Sequence, residues 1–246
     1  MFFQKDELSK FDFVSTKVFL LILVLVFFAL ILSILGIPFV FKKILPVYSI
    51  FFDSKYFAIF LLFISMILIF YIVYLFCCKQ KNKSLKDGLF LYPRSRKTYL
   101  ISALIGVLVP LLSLPILFKY VPKDFYATDL LKEEGGMIFL IFSALLAPVF
   151  EEIFYRGLVF PFFQSKINSV WAVMITSVFF GVSHYMNIGD AKVLVSLFIL
   201  YGFVLTYIRY ITNSLIPPII THLVHNLTLM ACCAIMHFKN LFLPIA

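Results

Sequence analysis

Ala147-Pro148-Val149-Phe150-Glu151-Glu152-Ile153-Phe154-Tyr155-Arg156-Gly157 lies inside the apolar run 137–163. Two carboxylates and a guanidinium at a membrane-helix centre are expensive, at about 2.5–3.5 kcal/mol for each such group. Residues kept there at that cost line a pathway or a site. On a helix, Glu152 and Arg156 are four residues apart and about 40° apart on one face, so they can pair. Glu151 is about 140° from Arg156 and cannot easily share it. Glu152 therefore reads as the neutralised structural member, and Glu151 as the carboxylate free to act as a base.

The rest of the chain agrees that this run belongs in a bilayer. Of 246 residues, 63% are hydrophobic and 13% charged, and the mean hydropathy is +1.07. That composition excludes a soluble domain and describes a multi-pass integral membrane protein. The net charge of +9 is spread over loops. It is topology information and gives no sign of a nucleic-acid partner.

Seven transmembrane helices are predicted, at 17–41, 57–78, 99–118, 137–163, 169–185, 193–208 and 215–236. The fold class is thus an all-α polytopic membrane helix bundle. The first run is too long and unbroken for a cleaved signal peptide. Between the second and third spans, Lys79, Lys81, Lys83, Lys86, Arg94, Arg96 and Lys97 face one acid, Asp87. The positive-inside rule puts that loop, and with it the N-terminus, in the cytoplasm. Pro110 and Pro115 are expected to kink the third span. Asn213 or Ser214 is expected to cap the seventh, with Pro217 and Pro218 in its first turn. The chain divides into 1–97, a tail with two spans and the basic loop, and 98–246, a core. The cysteines form two adjacent pairs, Cys77–Cys78 and Cys232–Cys233, with no CxxC metal spacing. Apolar filler is the simpler reading of Cys77 and Cys78, acylation the other.

Other polar groups share the membrane with the Glu pair. His184 closes Phe180-Gly181-Val182-Ser183-His184 in the fifth span. His222 and Asn226, four residues apart in the seventh, share a face. His225 reads as a helix-to-helix hydrogen-bonder, His237 as interfacial, and Phe180 as packing. Small residues, Ser143 and Ala147 in the fourth span and Gly181 and Ser183 in the fifth, let helices approach. Pro148 removes a backbone donor just before Glu151 and loosens the helix there. Depth is at odds with this grouping. Counted from the inner ends of their spans, His184 lies about 24 Å in and His222 about 10 Å. Tilted helices or a dipped segment at 158–164 would reconcile them.

Three motifs in this order resemble a known family: Glu-Glu-x-x-x-Arg at Glu151, Glu152 and Arg156, Phe-x-x-x-His at Phe180 and His184, and His-x-x-x-Asn at His222 and Asn226. Arg156-Gly157 and Asn213-Ser214-Leu215-x-Pro217 add context. The stretch 137–226 looks like the CAAX-processing and bacteriocin-processing (CPBP, or Abi) intramembrane proteases, which include the type II CAAX prenyl endopeptidases. The resemblance implies peptide-bond hydrolysis within the membrane, on a protein or peptide substrate that is a prenylated CAAX protein in eukaryotic members. It implies that Glu151 and His184 activate water, that His222 and Asn226 stabilise the oxyanion, and that Glu152 and Arg156 hold the helix. The core 98–246 would be the protease core, in a plasma or inner membrane if the host is bacterial.

The family has been labelled metalloprotease-like, and a metal-free glutamate mechanism has also been argued. One carboxylate and two imidazoles suit zinc with an open water position. Glu-Glu on one helix, however, lacks the paired histidines of H-E-x-x-H, and a Glu–His pair can polarise water alone. The reading adopted needs no obligatory metal, with zinc as its alternative. Two competing functions remain, a scaffold or self-immunity factor without catalysis and a proton-coupled carrier. Asn226 discriminates against the carrier, because a relay has no use for an amide one turn from a histidine and an oxyanion site does.

Overall fold

The computed structural model describes residues 14–31, 43–45, 55–120, 136–185 and 192–242. The elements are α1 (Thr16–Ile31), α2 (Lys55–Cys77), a 3-10 turn (Lys79–Lys81), α3 (Leu85–Gly88), α4 (Arg96–Tyr120), α5 (Gly136–Phe154), a π-helical turn (Tyr155–Val159), α6 (Phe160–Lys166), α7 (Ser169–Ser183), α8 (Lys192–Thr212) and α9 (Ile216–Phe242). The protein is an all-α membrane bundle, with no strand among the described residues. Helices containing Phe63–Lys81, Arg96–Leu117 and Val193–Thr212 are long and apolar enough to cross a membrane.

Each predicted span finds a helical counterpart, with local differences. The remainder of the first span, 32–41, lies outside the described residues, as do 121–135 and 186–191. The helical structure of α4 continues through both Pro110 and Pro115. At the start of α9 the capping oxygen is that of Ser214, which accepts from Ile216 N at 3.3 Å. The side chains of Ser143 and His237 lie outside the described ones. Cys77 and Cys78 are buried in the core, as filler requires.

Solvation is inverted relative to a soluble protein. Large apolar side chains such as Phe27, Leu100, Leu112 and Leu200 point outward, whereas Glu152, Arg156, Thr206 and His222 are inside. In hydrocarbon, polar groups gain only by finding one another. The core joins Phe19 of α1, stacked on Phe162 of α6 at 3.7 Å, to Val73, Leu158, Phe180, Leu205 and Leu215. Two glycines set close helix crossings. A Cβ on Gly181 would fall 2.7 Å from Ile199 N, and one on Gly106 2.6 Å from Thr221 O. So α7 meets α8, and α4 meets α9, nearly backbone to backbone.

The loop between α2 and α4 positions the site from below. Leu89 is 1% exposed. Its Cδ2 and that of Leu215 come within 3.8 and 3.6 Å of where a Gly157 side chain would start. Leu215 N donates to Phe90 O at 2.9 Å, and Ser214 Oγ to Tyr92 O at 2.6 Å. Phe90 and Asn213 take left-handed backbone conformations, with φ of 57° and 47°. The loop thus fills the space under α9, whose first turn begins level with Gly157. From Leu215 to His222 and from Gly157 to Glu151 the rise is then about 10 Å in each case. That puts His222 and Glu151 at one level, and His184 Nε2 meets the same Glu151 Oε2 at 3.8 Å. The segment 158–164, one of the two devices that would reconcile the depths, is helical through the π-helical turn and α6.

Candidate active site

Glu151 and Glu152 close the last turn of α5, and Arg156 and Gly157 fall in the π-helical turn. Two imino acids frame this segment. Pro148 and Pro161 have no N–H to donate four residues back, and Phe160 N donates five residues back, to Tyr155 O. Such turns are frequent at functional sites. This one re-aims Arg156 without ending the helix.

Arg156 is fully buried and makes three hydrogen bonds. Nη1 donates to Glu152 Oε1 at 2.8 Å, Nη2 to Gly202 O at 3.0 Å, and Nε to Thr206 Oγ1 at 3.2 Å. Its guanidinium lies over the Phe180 ring at 4.4 Å. The i, i+4 pair anticipated from spacing is present, and it also ties α8 to α5. His222 Nδ1 lies 2.8 Å from the same Glu152 Oε1. Because that oxygen already receives the guanidinium, Nδ1 must be the donor.

Glu151 faces the other way. Its Oε2 is 3.8 Å from His184 Nε2 and 3.9 Å from His222 Nε2, and has no hydrogen-bond partner among the described residues. Both gaps are too long for direct hydrogen bonds and suit one bridging water. His184 caps α7, and its Nδ1 sits 2.7 Å from Phe180 O, an acceptor only. In the neutral form each imidazole therefore presents an Nε2 lone pair toward Glu151. Phe198 stacks on His184 at 4.5 Å, and Tyr155 Oη donates to Ser183 Oγ at 2.7 Å. Both hold the end of α7.

Five of the six anticipated residues thus make one contact network. Asn226, half-buried one turn beyond His222, has no hydrogen-bond partner among the described residues and is free to meet a further group. His225 does not act as a helix-to-helix hydrogen-bonder here. Its Nδ1 is buried without a partner, and its ring stacks on Tyr201 at 3.9 Å. Sequence reasoning passed over α8 altogether. Gly202 and Thr206, four apart in an apolar run, were the available signal for a polar face directed at Arg156.

Among the described residues no group of three His, Cys, Asp or Glu side chains has metal-holding geometry. Donors on a tetrahedral zinc with bonds of about 2.0–2.2 Å sit roughly 3.4 Å apart. The Glu151–histidine separations are wider, so the trio does not fit zinc as it stands.

Residues 133–228 match the family described as Type II CAAX prenyl endopeptidase Rce1-like. That match covers less than half of the chain, and all six candidate residues fall inside it. Over 89 residues, 36% of this chain, the protein is also 33% identical to "Putative membrane peptidase YdiL" of Bacillus subtilis (strain 168). That match spans 34% of the relative's length, so the chain covers about a third of it. No solved structure matches the chain.

Proposed function

We propose that this protein is an intramembrane endopeptidase that hydrolyses a peptide bond of a membrane-associated protein or peptide. A prenylated CAAX terminus is the substrate class that the matching family's description names. The observation that carries the reading is the convergence of Glu151 Oε2, His184 Nε2 and His222 Nε2 from three helices at 3.8 and 3.9 Å.

A water between these atoms meets three acceptors and has two hydrogens. The trio therefore works with one proton of its own, and we assign that proton to His222. Its Nδ1 lies 2.8 Å from Glu152 Oε1, which fixes the ring with Nε2 toward the water. The site then holds two carboxylates and two cations, neutral overall, as a low-dielectric setting favours. Glu151 and His184 take up a water proton as the oxygen attacks the scissile carbonyl. His222 Nε2–H and the Asn226 amide donate to the developing oxyanion. The tetrahedral intermediate collapses as the C–N bond breaks, and the proton held by Glu151 passes to the leaving amine. Glu152 and Arg156 keep His222 and the helix in register. No step here requires a metal.

The test compares wild type with Glu151→Gln in native membranes, read by peptidomics for cleavage products. Glu151→Gln keeps shape and polarity and removes the base. It should remain folded and lose turnover. Wild-type turnover by the folded variant would end the role given to Glu151, and a wild type that releases no cleavage products would favour a scaffold.

A further inference from the structure

Among the described residues, the buried carboxylates and guanidiniums are those of Glu152, Arg156 and Arg209. The first two neutralise each other. Arg209, in the last turn of α8, has no carboxylate partner among the described residues. Its Nη1 donates to Asn213 Oδ1 at 3.3 Å, and its Nε is buried without an acceptor. Its guanidinium lies over Phe90 at 4.4 Å and Phe160 at 5.8 Å.

A second guanidinium is drawn to the same turn. Arg94 Nε donates to Thr212 O at 2.5 Å, and Nη2 to Asn213 O at 3.0 Å. Two like charges therefore bond to one residue, Asn213. The C-terminus of α8 offers roughly half a negative charge to offset them. Asp87, the one acid of the loop, is bound by Ser84 at 2.6 Å and Tyr92 at 3.3 Å, and it faces Lys86 and Lys83. The turn keeps a surplus of about one and a half positive charges, part of it buried, and a buried charge is retained where something pairs with it.

We propose that Arg94 and Arg209 form a binding site for a phosphate group at the α8–α9 turn. Guanidinium forks match phosphate oxygens in geometry and charge. α8 is apolar enough to span the bilayer from Val193 to Thr212, so its end is where headgroup phosphates lie. An anionic phospholipid headgroup and free inorganic phosphate carry the same chemistry, whereas the phosphate of phosphatidylcholine is offset by its own choline, and the experiment separates the two anions. The proposal is independent of the peptidase reading.

The full chain is placed in nanodiscs of phosphatidylcholine alone, of phosphatidylcholine with phosphatidylglycerol, or of phosphatidylcholine with added inorganic phosphate. Thermal unfolding is followed, and retained lipid is counted by native mass spectrometry. Wild type should melt about 5 °C or more higher with phosphatidylglycerol and retain that lipid. Arg94→Gln and Arg209→Gln should lose both effects. Arg94→Gln, at a half-buried position, tests the site even if Arg209→Gln fails to fold. An equal gain from inorganic phosphate alone, absent in the variants, would identify the free anion as occupant. Equal shifts in wild type and Arg94→Gln would overturn the proposal, since any basic surface would serve. It would also fall if replacing Asp6, Glu7 and Asp12 by their amides lowered the wild-type midpoint in phosphatidylcholine and left Arg94→Gln unchanged. The N-terminal carboxylates would then be the counter-ions.

Discussion

Arg156→Met tests the part of the site on which the rest depends. Methionine fills most of the volume and removes the charge. Gly202 O keeps a donor, because Thr206 Oγ1 also reaches it at 2.7 Å. Thr206 loses one neighbour and retains that bond. The main cost falls on Glu152, whose side chain is 0% exposed and whose remaining partner is His222 Nδ1 at 2.8 Å. Breaking a buried ion pair by removing one member typically costs about 3–5 kcal/mol. For a chain of this size each kcal/mol moves the midpoint by about 2–4 °C, so the drop should be on the order of 10 °C. The assay is thermal unfolding in detergent for wild type, Arg156→Met, Glu152→Gln and the double variant. Removing both charges strands neither, so the double variant should recover most of the loss and show strong coupling in the cycle. An Arg156→Met protein within about 2 °C of wild type, with additive singles, would refute the pairing and the role given to Glu152.

His184→Gln should abolish turnover, because no second partner for the water remains. His222→Gln should retain part of it, within the about 10²–10³-fold that one oxyanion donor is worth. Chelator-resistant activity is expected with this graded effect, whereas stoichiometric zinc by elemental analysis, lost in both variants, would replace the metal-free mechanism. Asn226→Ala should lower kcat by a similar factor and leave the melting temperature unchanged, since its amide bonds to none of the described residues; a fall in stability without a fall in kcat would contradict the assignment. Gly181→Val should cost about 1–3 kcal/mol, because even its Cβ would fall 2.7 Å from Ile199 N. Moving α8 outward would also loosen Arg156 from Gly202 and Thr206, so turnover should fall with stability in the same titration of unfolding and activity.

Local spacing was enough for the features that depend on a single helix. Glu152 and Arg156 meet because they are one turn apart, and no tertiary information enters that statement. Gly181 as a crossing point was legible for the same reason, since a small residue in a span acts through its own size. The partners supplied by other helices were not legible. The spacing of Gly202 and Thr206 in span six hints at a polar face, but not that Arg156 is what it meets until α8 is laid against α7. Nor does the seventh span reveal that His222 bonds through Nδ1 to Glu152 while Nε2 turns to Glu151. That choice of nitrogen decides whether His222 is an acceptor or, once protonated, a donor.

By itself the sequence determined an all-α membrane bundle, because long apolar runs in a bilayer must satisfy their backbone internally as helices. It also marked the charged stretch around Glu151 as the candidate site, because charge in hydrocarbon is too costly to keep idle. Depth was decided by the tertiary structure alone. Counting residues from loop ends assumes that every span starts at the same plane, and α9 does not. Leu89 and Phe90 rise beneath it and pack at Leu215 and Gly157, lifting His222 to the level of Glu151. Such a plug is made by side chains far apart in sequence filling one space, and that is a property of packing which no periodicity along the chain records.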